Sequence, residues 1–415
     1  MDANRHYPSL LLLPAPPSPA TKESLSAAYR PPLEAAISKC RNPEHGTVLI
    51  VALVAPILAG PYRYSKTLSW HHAQSLVAGL YAIASAACAK LSVDAHIGAG
   101  PGSVDVRVLL VDRQNGDDGK SPAPLPADVA KAAATAEPNN TAVLDLPGFA
   151  AAHRPWTTIY HCGTEAGLGL FADFLRLAEA GRQMLRQDQL VAVPGGVTMH
   201  DPSSTAADGA GEGGQTKGHG IVCIGGTFDH LHAGHKLLLT GGALLLEVPN
   251  LDEGGKPATF IVGITGDELL KNKKYAELVQ SWDSRARSVI DFLATLLCLS
   301  PEEARPNIEE KDGLFVARLR GGAVEVNCVR IQDAFGPTIT MREVSSLVLS
   351  AETRAGGKAV NDKRSELGWA PLELFEVDVL DAGDVQSSDE PTQTAEFASK
   401  ISSTTIRKLK AESRG

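Results

Sequence analysis

The sequence has no CxxC pair. Its six cysteines, Cys40, Cys88, Cys162, Cys223, Cys298 and Cys328, are scattered through 415 residues. That excludes a zinc ribbon and, in so long a chain, a disulfide scaffold; the thiols read as reduced and buried, in a reducing compartment. No apolar run approaches the ~20 residues that a membrane-spanning helix needs. The greasy patch at 10–13 runs into Pro14, Pro16 and Pro17, and Asp2 opposes a basic leader, so neither a signal nor a transit peptide is predicted. Positive charge is in deficit: 39 Lys and Arg stand against 48 Asp and Glu, for a net charge of -9, which argues against a nucleic-acid binder. A P-loop is missing as well. Its nearest match, Gly119-Lys120-Ser121, has Gln114 where the first glycine belongs, Asp117 and Asp118 where phosphate would sit, and Pro122 and Pro124 where a helix should start.

What is present suits a cytoplasmic protein that touches no membrane: 43% hydrophobic and 21% charged residues, and a length that fits two domains. Residues 1–45 open Pro-rich and are expected to pack loosely. Residues 46–199 alternate strand candidates (48–58, 104–112, 156–162, 189–193) with helix candidates (69–91, 165–186), which predicts an α/β domain. A polar loop is expected at 113–140. Residues 200–220, HDPSSTAADGAGEGGQTKGHG, have linker composition. From 221 to 415 the pattern restarts, with strands at 221–224, 260–264, 324–331, 346–350 and 372–380 and helices between them. The fold class is α/β: a doubly wound parallel sheet, Rossmann-like, with a second N-terminal α/β domain.

Residues 223–239 read CIGGTFDHLHAGHKLLL. The strand runs into Gly225-Gly226, where the lack of Cβ atoms lets a ligand approach the backbone. Thr227 offers a hydroxyl to a phosphate oxygen. His232-Ala233-Gly234-His235 then opens a helix whose first turn presents free N–H groups and a positive dipole end to an anion. His232 and His235 are three apart, share one helix face, and can both meet one triphosphate. Two plainer readings compete. One is zinc ligation by His230, His232 and His235, with only Cys223 near as a further ligand. The other is a set of histidines that merely fill a turn, the expected role of His230. Near the other end, residues 400–409 read KISSTTIRKL; Ser402, Ser403 and Thr404 start a helix and Arg407 lies one turn inside it. By itself that is an ordinary helix cap.

Together the two segments resemble the HxGH and ISSTxxR elements of the class I nucleotidylyltransferases. Residues 333–364 lie between them and are similar to two elements of the eukaryotic-type phosphopantetheine adenylyltransferases. Asp333, Gly336, Pro337 and Thr338 match DxxGPT. Leu347, Val348, Ser350, Glu352, Thr353, Gly356, Gly357, Asn361 and Arg364 match LVVSxET..GG..xN..R, with Leu349 as a variation. The resemblance covers about 221–410. Nicotinamide-mononucleotide adenylyltransferases carry a Phe-x-Pro-x-His arrangement and lipid-synthesis cytidylyltransferases an RTEGIST-type element; this chain has neither.

The resemblance implies AMP transfer from ATP to 4′-phosphopantetheine, giving dephospho-coenzyme A and pyrophosphate, with Mg²⁺ held on ATP by its phosphates and water. It implies that His235 contacts the α-phosphate. Gly225, Gly226, Thr227, Phe228, His232, His235, Glu352, Ser402, Ser403, Thr404 and Arg407 would form the ATP site. Thr227, Lys271 and Arg354 would meet the acceptor, with Lys273 or Lys274 as alternatives to Lys271. Both phosphate elements lie beyond the Gly-rich segment, so residues 216–415 are expected to be active alone, and the missing P-loop predicts that dephospho-coenzyme A is not phosphorylated here. Residues 1–199 show no catalytic constellation. Two roles stand open for them: a regulatory domain that binds a protein partner, or a degenerate enzyme domain serving as scaffold. The rival for the whole chain is a nucleotide-binding regulator without turnover.

Overall fold

Leu10, Leu11, Leu12 and Leu13 have no solvent exposure. They belong to the middle of a sheet, not to a loosely packed segment. A computed structural model describes residues 7–113, 138–152, 155–181, 183–197, 214–271, 273–378, 380 and 402–412. The first half contains β1 (Ser9–Leu13), α1 (Lys22–Cys40), β2 (Thr47–Ala55), α2 (Trp70–Lys90), β3 (Val104–Asp112), β4 (Leu144–Asp145), α3 (Leu146–Ala152), β5 (Ile159–Cys162), α4 (Glu165–Ala180) and β6 (Leu190–Val193). The sheet order is β4-β3-β2-β1-β5-β6, parallel at each pairing. Near-continuous apolar runs such as LIVALVA suit strands covered on both faces. The expectation of a loose Pro-rich segment at 1–45 is thus corrected: a strand needs only ~5 residues, and Pro14 ends β1 without unsettling it. Thr21 then caps α1, accepting from the Ser24 N–H at 3.2 Å.

The second half contains β7 (Ile221–Gly226), α5 (Ala233–Leu244), β8 (Ala258–Thr265), α6 (Trp282–Leu297), β9 (Ile308–Lys311), β10 (Leu314–Leu319), β11 (Val324–Ile331), β12 (Ser346–Ser350), α7 (Arg354–Glu366), β13 (Glu373–Val377) and α8 (Ser403–Glu412). Its order is β13-β12-β7-β8-β11-β10-β9. The five expected strands run parallel, but β9 and β10 form an antiparallel hairpin on the far edge. The sheet is therefore mixed. The charged run Glu309–Asp312 conceals β9, although Asp312-Gly313 is a hairpin-turn pair.

The two halves share a continuous core. Helix α5, AGHKLLLTGGAL, is apolar on nearly every side, a composition that requires cover all round. One side packs on its own sheet so closely that a Cβ on Gly242 would stand 2.4 Å from the Phe260 ring. The other side takes α2, where the Trp70 ring N–H donates to the Gly241 carbonyl at 2.8 Å. Strand β3 pairs with β4 only at its end, so most of its outer edge has no strand neighbour among the described residues. The Val106 carbonyl on that edge accepts from Lys236 Nζ at 2.9 Å and the Val108 N–H donates to the Tyr81 hydroxyl at 3.2 Å. Residues 200–213 of the expected linker and 114–137 of the expected loop lie outside the described residues. Thr216 is already anchored, its N–H donating to the Leu68 carbonyl at 2.9 Å.

Candidate functional site

Strand β7 is the point where the order of the second sheet reverses: β8 lies on one side and β12 on the other. Ligands of such sheets sit at the carboxyl ends of the strands beside that reversal. There β7 ends in Gly225-Gly226 and a tight loop leads into α5. Two non-glycine residues of the loop take left-handed backbone, Phe228 at φ 51° and His230 at φ 46°. Such residues persist only where their surroundings hold them.

The surroundings are specific. Asp229, with no exposure, accepts from the Gln280 N–H at 2.9 Å through one oxygen and from Arg407 at 2.5 Å through the other. The Ser403 hydroxyl donates to the Asp229 carbonyl at 2.8 Å. Gln280 Oε1 accepts from the His230 N–H at 2.8 Å. Arg285 is fully buried and donates to the Thr227 and Thr265 carbonyls at 2.8 and 2.9 Å. The His230 ring donates from Nε2 to the Leu278 carbonyl at 3.2 Å, and its Nδ1 accepts from Lys410 at 3.2 Å. His230 is thus a loop residue whose two ring nitrogens are taken by Leu278 and Lys410.

The other two histidines form a pair. The rings of His232 and His235 stack with centroids 4.0 Å apart and planes at 27°. The Nδ1 atoms of both are buried without a hydrogen-bond partner. Burial first, then the neighbouring His235 and Lys236, holds His232 well below its ordinary 6.5, and burial pushes His235 down to about 4. Both rings are therefore neutral near pH 7. His232 is the N-cap of α5 but its side chain makes no cap hydrogen bond, so the helix start is open to an anion. Among the described residues no three His, Cys, Asp or Glu side chains gather as a metal site. Stacked rings do not converge on a point as zinc ligands would.

Beside Gly225-Gly226 lies a cleft of about 260 Å³ on the opposite face of the sheet from α5. Phe335, Pro337 and Thr338 wall one side and Leu349, Thr353, Gly356 and Gly357 the other. The two elements at 333–338 and 347–357 thus meet at one place. Three other matched residues hold the walls. Asp333 accepts the N–H groups of Phe335 and Gly336, both at 2.7 Å. Asn361 exchanges two bonds with the Leu372 backbone. Buried Arg364 donates to the carbonyls of Thr338, Met341, Arg342, Val344 and Ala370.

Several expected site residues stand elsewhere. Phe228 is buried against the His235 ring, 5.3 Å between centroids, so only its backbone faces the site. Lys271 pairs with Glu268 and is largely exposed, whereas Lys273 donates to the Thr227 hydroxyl at 3.1 Å. Burial and the nearby Arg407 lower the Lys273 pKa. Arg354 is exposed and grips Glu376 with two bonds of 2.5 and 2.6 Å. Glu352 is exposed on the turn beside the cleft. The nitrogens of Arg407 go to Asp229, the Lys274 carbonyl and the Thr404 hydroxyl, so in this structure it fastens α8 to the loop. Ser402 caps α8 through the Thr405 N–H at 3.3 Å. Sequence reasoning missed Asp229, Gln280, Arg285 and Lys236. Only Lys236 had a visible signal, a lone charge inside an apolar helix.

In the first half the order reverses at β1, between β2 and β5. The crevice beside β1 and β5 is filled by the chain itself. The Gly163 N–H donates to the Val193 carbonyl and the Val197 N–H to the Ala27 carbonyl, at 3.0 and 3.2 Å. A Cβ on Gly196 would stand 2.1 Å from the Ala27 oxygen.

Known proteins resemble both halves of this description. A family model described as a domain of unknown function, DUF8446, matches residues 1–199. A phosphopantetheine adenylyltransferase of Saccharomyces cerevisiae is 34% identical over 189 residues, 46% of this chain and 48% of that one. An uncharacterized protein of Schizosaccharomyces pombe is 35% identical over 189 residues, 45% and 47% of the two chains. The chain thus spans about half the length of these two relatives. A phosphopantetheine adenylyltransferase of Pyrococcus horikoshii is 31% identical over 159 residues, 38% of this chain and 78% of that one.

Proposed function

This chain belongs to the nucleotidylyltransferase family of these relatives, and from that premise we propose that it transfers AMP from ATP to 4′-phosphopantetheine, releasing pyrophosphate and forming dephospho-coenzyme A. The observation that carries the reading is the cleft. The elements at 333–338 and 347–357, apart in sequence, wall a single space that opens beside the glycine turn between β7 and the loop to α5.

The acceptor phosphate attacks the α-phosphorus of ATP in line, and pyrophosphate leaves from the opposite side. Phosphate is a competent nucleophile, so the protein needs only to position and to stabilise charge. The open start of α5 and the ring N–H groups of His232 and His235 receive phosphate oxygens; being neutral, each ring donates one hydrogen bond without changing its charge. Lys273 and Thr227 receive the acceptor phosphate. Ser402, Ser403 and Thr404 bring the start of α8 to the far end of the triphosphate, with Arg407 as its fastener. Mg²⁺ travels with ATP, held by phosphates and water. The first half is read as scaffold, supported by the self-filled crevice at β1; capture of a partner by the full chain through residues 1–199 would add the regulatory role.

The test is pyrophosphate release by the full chain with ATP and a panel of acceptors. Release that depends on 4′-phosphopantetheine and prefers ATP to CTP is expected. Equal or faster turnover with nicotinamide mononucleotide would overturn the assignment, and nucleotide binding without release would favour the regulator. No coenzyme A should form from dephospho-coenzyme A; the decoy Gly119-Lys120-Ser121 lies outside the described residues.

A further inference from the structure

Directly behind the histidine pair, on the next residue of α5, Lys236 is 1% exposed. Its ammonium donates to the Asp105 carboxylate and to the Ala95 and Val106 carbonyls at 3.1 and 2.9 Å. All three acceptors belong to the first half of the chain. Asp105 in turn holds Arg107, which reaches back to Asp291 at 2.6 Å and the Thr295 hydroxyl at 2.6 Å on α6. A chain of alternating charge, buried from Lys236 to Arg107 and reaching the surface at Asp291, therefore runs α5–β3–α6. Next to it the Ile97 N–H donates to the Leu231 carbonyl at 3.1 Å, inside the left-handed loop. The His96 ring meets the His230 ring edge-on, centroids 5.5 Å apart. The loop that carries His232 and His235 is thus gripped by α8 on one side and by the first half on the other.

We propose that the first half is part of the catalytic unit, with Asp105 acting as a positioning residue that sets the His232–His235 pair through Lys236. The proposal rests on the adenylyl-transfer reading for its kinetic arm only. Lys236 is one residue from His235 on a helix whose first turn aims at the phosphates. Its head is fixed by two acceptors on β3 of the other sheet and a third, Ala95, in the connection between α2 and β3, so a shift of that sheet moves the start of α5. The match to the Pyrococcus relative, which covers 38% of this chain, leaves more than half of it unmatched; the grip from β3 is built by residues 1–199, the region that carries its own family model.

The experiment uses the full chain with isotope-labelled histidine, following the ring resonances of His232 and His235 by NMR beside the kinetics. Asp105→Asn should shift both resonances and lower kcat about tenfold or more while KM for ATP moves less, since an orientation used in the transition state appears in kcat. Asp105→Glu, which keeps the charge, should recover much of the loss. Asp105→Asn leaves a buried ammonium without its counter-charge, so a second variant removes both charges: Asp105→Leu with Lys236→Met should fold, because an apolar pair replaces a buried ion pair well and Arg107 keeps its Asp291 partner, and should still show displaced histidine resonances and reduced kcat. Ser75→Ala, which cuts a bond between the halves far from the loop (Ser75 to Asp378 at 2.6 Å), should leave both readouts unchanged. Unchanged histidine resonances and turnover in folded Asp105 variants would overturn the proposal, as would failure of the double variant to fold, which would make the network structural only. Displaced resonances in a chain whose wild type transfers no adenylyl group would sink the functional reading and leave the positioning role standing.

Discussion

Arg407 Nη1 lies 2.5 Å from Asp229 Oδ2, with the guanidinium 1% and the carboxylate 0% exposed. The pair joins the last described helix to the loop before α5. Removing one partner of a buried ion pair strands the other and costs about 3–5 kcal/mol. Arg407→Met should therefore release α8: amide exchange over 403–412 should rise sharply and KM for ATP should increase. Exchange rates matching wild type would mean that α8 is held by something else.

His235→Ala should lower kcat about a hundredfold with a smaller change in ATP affinity, because a donor aimed at developing charge acts in the transition state. If KM alone rises, His235 is a ground-state contact.

Lys273→Met should weaken use of the acceptor, raising its KM about tenfold, the scale expected for one lost charge-assisted hydrogen bond. Lys271→Met should change little, since that ammonium sits beside Glu268 in solvent. The reverse ranking in steady-state kinetics would return the role to Lys271.

The buried histidines make the ligand-free fold acid-sensitive. Burial keeps His235 neutral down to about 4, whereas an exposed histidine takes its proton near 6.5. Between those two values the unfolded chain binds a proton that the folded chain refuses, so stability falls as pH drops through this window and is flat above it. His96, lowered to about 3 by burial first, acts in the same direction. Urea melts from pH 7.5 to 4.5 should show the loss, and His235→Ala should flatten the slope. A slope unchanged by the substitution would show that His235 titrates freely.

Residues 216–415 alone should fold badly, contrary to what the sequence motifs suggest. That fragment would expose the side of α5 that α2 covers, together with the Lys236 head. Soluble yield and dye binding would report it, and co-expression of residues 1–199 should restore a soluble complex. A soluble, active fragment would show that the first half is dispensable.

Much of the second half was legible because its signals are local. The glycine turn, the helix start at His232 and the apolar strands follow from residue order alone. The first half was less so. Leu10–Leu13 read as part of a loosely packed Pro-rich segment because a five-residue strand flanked by prolines carries no periodic signal, and its neighbours in the sheet are distant in sequence. Asp105 and Arg107 alternate with valines, a pattern that usually marks a solvent-facing strand face; nothing in the sequence says that a lysine 131 positions away lies against them. Lys271 and Lys273 are two residues apart, and only the path of the turn decides which reaches Thr227. Charged residues whose partners lie across the fold are the part of a site that residue order hides.

β1 is made before both of its neighbours, one of which is encoded some way ahead: Leu12 and Cys162, which touch across β1 and β5, are 150 positions apart. On a ribosome the β2 side of β1 can be covered as soon as residues 47–55 emerge. The β5 side stays bare while roughly a hundred more residues are made, the kind of open apolar edge through which nascent chains adhere to one another. Translation speed and chaperone supply across that interval thus bear on how much of the protein reaches its native state, before any question of nucleotide or acceptor arises.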